Sequence, residues 1–195
     1  MEITMKKILT MFMTVIILTG VLTACQGQQN GKGNDQKNDA TPTPSAEGNA
    51  KHLEGDLSSI IDKIYENKPV DIAVETTAVD LTNADLLKYN TGLDSADKIK
   101  EVSVSEAMMT STAYSLVLIR VNDSTDAEEV AKAVKEGIDP RKWICVEADD
   151  LSVVAYGDVV MLVMVDSSLA DSVTSRQIVD AFKTVCGGDL TVDLQ

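Results

Sequence analysis

Three segments of the chain place apolar residues at the spacing of an amphipathic helix. They lie at about 57–67, 127–137 and 178–187. In each segment the apolar residues recur three and four positions apart, so they share one face. Asp56 is a typical N-cap for the first helix, and Thr125 with Glu128 predicts a capping box at the second. A shorter helix is predicted from Thr82 to about Gly92.

Apolar and β-branched runs predict the strands of a sheet. They span about 99–105, 113–121, 142–148, 151–156 and 159–165, and the run at 190–194 could add a short edge strand. Gly157 and Asp158 separate two of these runs, which suits a two-residue hairpin turn with glycine first. The segment "EAMMTST" could join the first two strands as another hairpin. Arg120 is the charged residue that interrupts the run at 113–121.

The order of these elements predicts an α+β fold. We expect a two-layer sandwich, with a mainly antiparallel sheet of four to five strands and helices on one face. The predicted domain is 53–195. Apolar residues make up 44% of the chain, which is enough to bury a core.

The segment before this domain, 25–52, is almost entirely polar. It is rich in Gln, Asn, Gly, Lys, Asp, Pro, Ser and Thr. Such a composition buries too little apolar surface to offset the entropy of ordering the chain. We therefore predict a disordered tether between residues 25 and 52.

The first 24 residues have the pattern of an export signal. Two lysines precede a mostly apolar run at 8–18, which is shorter than a typical transmembrane helix. The run closes in Leu22-Thr23-Ala24-Cys25, which resembles the lipobox of bacterial lipoproteins. The resemblance implies cleavage before Cys25 and a lipid on its sulfur, with the chain held at the extracytoplasmic face of the cell membrane. The alternative is a plain secretory signal, and either Met1 or Met5 could be the start.

Composition and charge exclude several classes of function. The chain has 17 Lys and Arg against 31 Asp and Glu, a net charge of -14, so nucleic acid is not expected as a partner. Aromatic residues are only 4% of the chain, which argues against a stacking platform. Three cysteines and one histidine are too few for most zinc sites, and we predict no metal and no cofactor.

Two cysteines and two methionines are the candidates for chemistry or binding. Cys145 and Cys186 could form a disulfide outside the membrane, or each could be an ordinary strand or helix residue. Cys145 as a nucleophile would need a base, and the only histidine, His52, lies at the end of the tether. Met108 and Met109 would form a docking surface if they are exposed.

The whole pattern resembles an uncharacterised family of Gram-positive lipoproteins, catalogued as domain of unknown function 4358. The residues that carry the resemblance are the lipobox at Cys25, the polar tether, Met108-Met109 before "YSLVLIRV", the helix "DAEEVAKAV" and the hairpin "GDVVMLVMV". The family implies a location and a fold, but no activity. We expect a binding or scaffolding module at the cell envelope, with a protein partner. The alternative is an envelope enzyme that uses acidic residues.

Overall fold

Six β-strands and four α-helices make up the part of the chain that the computed structural model describes, residues 52–195. The strands are β1 (Val74–Ala78), β2 (Ile99–Ala107), β3 (Tyr114–Val121), β4 (Asp150–Tyr156), β5 (Val159–Val165) and β6 (Val192–Leu194). The helices are α1 (Leu57–Asn67), α2 (Ala84–Thr91), α3 (Ala127–Gly137) and α4 (Ser175–Cys186). The predicted signal peptide, the lipid on Cys25 and the tether up to residue 51 lie outside the described residues.

The strands form one antiparallel sheet in the order β1-β2-β3-β5-β4-β6. In its centre, Val117 of β3 lies opposite Val104 of β2 and Leu162 of β5. The predicted α+β class with an antiparallel sheet is confirmed, with six strands in place of four to five. The strand β1 was not predicted. Its sequence "VETTA" has no apolar run, because its side chains are exposed or half-buried.

The strand predicted at 142–148 is wrong, because this segment is part of an irregular loop between α3 and β4. Cys145 has a φ of 68°, in the left-handed region that a strand cannot use. The loop is closed by a hydrogen bond from the Ala148 N–H to the Pro140 carbonyl, at 2.9 Å. We call residues 138–149 the long loop.

Helices cover both faces of the sheet, which gives three layers rather than the two that were predicted. Leu116 and Leu118 of β3 face α1 and α4, whereas Val117 and Ile119 face α2, α3 and the long loop. All residues of β3 and β5 are buried. A strand that is buried on both sides needs a covering layer on each, so helices on one face could not have covered this sheet.

The helix ends confirm some of the predicted caps and correct others. Asp56 caps α1 by accepting a hydrogen bond from the Ser59 N–H at 2.9 Å. The capping box predicted at Thr125 is wrong, because Asp123 caps a short 3₁₀ turn before α3. Asn83, rather than Thr82, caps α2. Within residues 52–195, no helix has the length and apolar content that crossing a bilayer requires.

Candidate functional site

Arg120, the charged residue inside β3, is buried at one end of the sheet and holds the start of the described chain. Its guanidinium donates to the carbonyl oxygens of Leu53 (2.9 Å) and Gly55 (2.6 Å). It also donates to Asp158 Oδ2 and Glu101 Oε1, both at 2.7 Å. We call these contacts the Arg120 clamp, and this end of the sheet the clamp end.

Asp158 holds the same segment from the turn between β4 and β5. Its Oδ1 accepts from the Leu53 N–H at 3.0 Å, and its Oδ2 lies 2.6 Å from His52 Nδ1. Burial alone raises the pKa of Asp158, but the bonds from Leu53, Arg120 and His52 outweigh it and bring the pKa below its usual value. The group is therefore an ionised carboxylate that pairs with a buried guanidinium at neutral pH.

Lys142 is buried at the opposite end of the sheet, where it joins three elements. Its Nζ lies 4.8 Å from the centre of the Tyr89 ring on α2 and 5.0 Å from the centre of the Trp143 ring. The same atom is 3.3 Å from Ser115 Oγ on β3 and 2.9 Å from Glu106 Oε1 on β2. These contacts connect α2, the long loop and the β2–β3 hairpin.

The charge of Lys142 is almost completely removed from water. Its side chain is 2% exposed. Burial lowers the pKa of Lys142, and the Glu106 carboxylate opposes this shift only in part. The contact with Glu106 is an ion pair without hydrogen-bond geometry. Among residues 52–195, Glu106 Oε1 and Trp143 Nε1 are the two buried side-chain polar atoms without a hydrogen-bond partner.

The elements that Lys142 joins also carry every large apolar side chain that is exposed in the described part of the chain. Leu86 and Tyr89 lie on α2, Met108 and Met109 in the turn after β2, and Ile144 in the long loop. Ile144 is 77% exposed, Met108 66% and Met109 63%. We call these five residues the distal surface.

The Arg120 clamp and the Lys142 contacts lie at opposite ends of β3. Arg120 is the residue before the last of this strand, and Ser115 is the residue after the first. Five steps of about 3.3 Å separate them, so the two ends are roughly 17 Å apart along the strand. The chain therefore enters the domain at one end, and the contacts that join the distal elements are at the other.

The disulfide that Cys145 and Cys186 could have formed is absent, and the two cysteines lie on opposite faces of the sheet. Cys145 is an exposed free thiol in the long loop, two residues after Trp143, which packs on the face covered by α2 and α3. Cys186 is buried on the face covered by α1 and α4. His52 binds Asp158 at the clamp end, so the structure does not bring it to Cys145 as a base.

Several acidic side chains serve as caps of turns and helices. Asp56, Asp80, Asp123 and Asp166 each accept a hydrogen bond from a backbone N–H two or three residues further on. The backbone N–H and the hydroxyl of Thr125 lower the pKa of Asp123. In the region from residue 52 to 195, no group of three or more His, Cys, Asp or Glu side chains is arranged to hold a metal ion.

Comparisons with known proteins found no matching family model, no matching curated protein and no matching solved structure. The resemblance to the lipoprotein family therefore stays a prediction. Sequence patterns did not single out Arg120 or Lys142 as site residues. Of the two, only Arg120 had a signal, because a single charge inside an apolar strand indicates a buried ion pair.

Proposed function

We propose that this chain is a lipid-anchored protein of the extracytoplasmic face of the membrane, whose domain binds a partner protein through the distal surface. The observation that carries the proposal is that all the exposed large apolar side chains of residues 52–195 lie on the three elements that Lys142 joins. Apolar residues that are exposed singly need no explanation, but a group of them on elements in contact with one another is typical of an interaction site.

The predicted anchor and tether support a role at the membrane. Two acyl chains on Cys25 would supply the two signals that stable anchoring requires. A flexible tether of the predicted length has a root-mean-square reach of about 30 Å. Because the tether would join the domain at the clamp end, the domain could present its distal surface to partners beside or above the membrane.

The chemistry of the surface suggests the kind of partner. Methionine side chains adapt to different shapes, Tyr89 provides an aromatic anchor of the kind that interface centres favour, and Ile144 adds exposed apolar area. The chain has a net charge of -14, so its field attracts basic proteins and repels acidic ones. We expect a partner whose apolar centre is surrounded by basic residues.

The alternative function, an envelope enzyme that uses acidic residues, has less support. Asp149 binds the N–H and hydroxyl of Ser167, and Asp150 binds the N–H and hydroxyl of Ser175. Both carboxylates therefore have structural roles at the starts of a 3₁₀ turn and of α4. A general acid or base must be able to reach a substrate, whereas these two carboxylates accept hydrogen bonds from Ser167 and Ser175.

The test is crosslinking in the cells that produce the protein, with a photo-reactive amino acid in place of Met109 in the full-length chain. We expect one dominant crosslinked protein, which disappears when Ile144→Asp is added. The matched control is Ala133→Asp, which adds the same charge at an exposed position of α3 and should leave the crosslink intact. A crosslink that survives Ile144→Asp, in a variant that unfolds at the temperature of the parent, would exclude the distal surface.

A further inference from the structure

The outer edge of β1 has backbone groups that point away from the sheet. The Met108 N–H donates to the Ala73 carbonyl and the Val79 N–H donates to the Val102 carbonyl, both at 2.9 Å. The register from Val74 to Ala78 has no bulge. Since hydrogen-bonded and non-bonded pairs alternate in an antiparallel ladder, the odd-numbered residues of β1 bond to β2.

The even-numbered residues of β1 therefore present their N–H and C=O groups outwards. They are Val74, Thr76 and Ala78. The strand contains no proline and no lysine, which are two of the usual devices that block an exposed edge. The opposite edge, β6, has only three residues. β1 is thus the longer and less protected edge of this sheet.

The charges around β1 favour a basic occupant. Glu75 lies directly opposite Glu106 on β2, and like charges in this position destabilise a sheet. Lys142 pairs with Glu106 from the far side. Glu75 itself is exposed at the edge, where it adds a second negative charge beside Glu106. A cationic side chain on a neighbouring strand would supply the missing countercharge.

The edge of β1 is continuous with the distal surface. The bond from Met108 to Ala73 places the first exposed methionine of the turn directly beside the residue that precedes β1. A chain that lies along β1 and continues past Val74 would therefore reach Met108 and Met109. Backbone pairing and apolar contact can be made by the same occupant.

We propose that an extended segment of the partner protein adds to the sheet as a seventh strand along β1, with a lysine or arginine beside Glu75. In such strand addition, main-chain hydrogen bonds supply affinity and alternate side chains supply specificity. This inference rests on the proposed function, since it describes how the partner of the distal surface would bind.

The test uses a synthetic probe, a short acetylated and amidated peptide that alternates valine and threonine around a central lysine. A matched peptide carries glutamate in place of the lysine. Binding to the full mature chain in detergent is followed by fluorescence anisotropy, and amide hydrogen exchange is followed by NMR. We expect the lysine peptide to protect the amides of Val74, Thr76 and Ala78, whereas those of Glu75 and Thr77 are protected before it is added.

Two variants separate backbone pairing from charge. Thr76→Pro removes an outward N–H at an edge position where proline is tolerated. It should lower the affinity for the lysine peptide by about tenfold or more. Thr77→Ala is its control and should bind as the parent does. Glu75→Lys should reverse the preference, so that the glutamate peptide binds more tightly than the lysine peptide.

Three results with the purified protein would overturn strand addition. The first is no measurable binding of the lysine peptide, and the second is that Thr76→Pro binds this peptide as tightly as the parent does. The third is a dimer in sedimentation that Thr76→Pro dissociates, because a second copy of the chain would then be the occupant of the edge. If Thr76→Pro keeps the cellular crosslink that Ile144→Asp loses, strand addition fails and the distal surface stands. If both variants keep the crosslink, the proposed function fails as well.

Discussion

Replacing Arg120 with methionine tests whether the Arg120 clamp holds the start of the domain. Methionine keeps much of the length and packing of the arginine side chain but none of its hydrogen bonds. The change removes the bonds to Leu53, Gly55, Asp158 and Glu101. Asp158 then stays buried with only two partners, the Leu53 N–H and His52.

The expected loss of stability follows from these contacts. A hydrogen bond to a charged group contributes about 1.5–3 kcal/mol, but the four bonds share one guanidinium and are not additive. Glu101 is 41% exposed, so water can replace much of its contribution. Breaking a buried ion pair from one side costs about 3–5 kcal/mol. We expect Arg120→Met to cost about 3 kcal/mol, or roughly 10 °C in Tm for a domain of this size.

The assay is urea unfolding of residues 26–195, compared with Lys88→Met as control. Lys88 pairs with Asp94 at 2.6 Å, but both side chains are largely exposed, so this change should have little effect on the free energy of unfolding. Limited proteolysis should also cut the Arg120→Met domain beyond Leu53, towards α1. If Arg120→Met lowers the free energy of unfolding by no more than the control does, the Arg120 clamp does not stabilise the start of the domain.

The pH dependence gives an independent check of the same contacts. The pKa of Asp158 is lowered in the folded domain, whereas the unfolded value is about 3.9. Its contribution to stability is therefore complete above the unfolded pKa and is lost as the pH falls through the folded pKa. The difference in the free energy of unfolding between the parent and Arg120→Met should be constant near neutral pH. It should become smaller below about pH 4.

Three further predictions concern the anchor, the thiols and a glycine. Cys25→Ala should release the protein from the membrane fraction, and unchanged membrane association would exclude the lipid. Cys145 should react with iodoacetamide in the native protein and Cys186 only after denaturation, because Cys145 is exposed and Cys186 is buried. Equal rates would contradict this difference in burial. Gly92→Ala should cost more than about 2 kcal/mol, because φ is 76° and a Cβ would lie 2.2 Å from backbone. Gly187→Ala, with φ of 65° and open space, should cost about 1 kcal/mol, and a similar loss at both positions would contradict the close approach at Gly92.

Much of the fold could be predicted because strong periodicity and turn chemistry agreed. The hairpin at Gly157 and Asp158, the cap at Asp56 and the C-terminus of α4 at Gly187 are all as expected. Two layers were predicted instead of three, although "VVMLVMV" is apolar at every position. A strand with this pattern is buried on both faces, and the sheet needed helices on each side.

The errors come from segments whose tertiary contacts override their local pattern. "KWICVEA" contains an apolar run typical of a strand, but Lys142 packs against the Tyr89 ring and pairs with Glu106, and Cys145 adopts a left-handed backbone. β1 is polar because its side chains, at the end of the sheet, are all exposed or half-buried. Neither the burial of Lys142 nor the exposure of Ile144 follows from composition, since both depend on how the long loop folds back over the hairpin.

The opposite positions of the Arg120 clamp and the distal surface bear on how a tethered domain could work. If the tether prediction holds, any pull from the membrane enters through Leu53 and Gly55 and is resisted by a buried guanidinium on the central strand. The load then passes into β3 and its neighbours, the most buried part of the sheet. The distal contacts around Lys142 lie about 17 Å away along β3, so motion of the tether can leave the distal surface undisturbed.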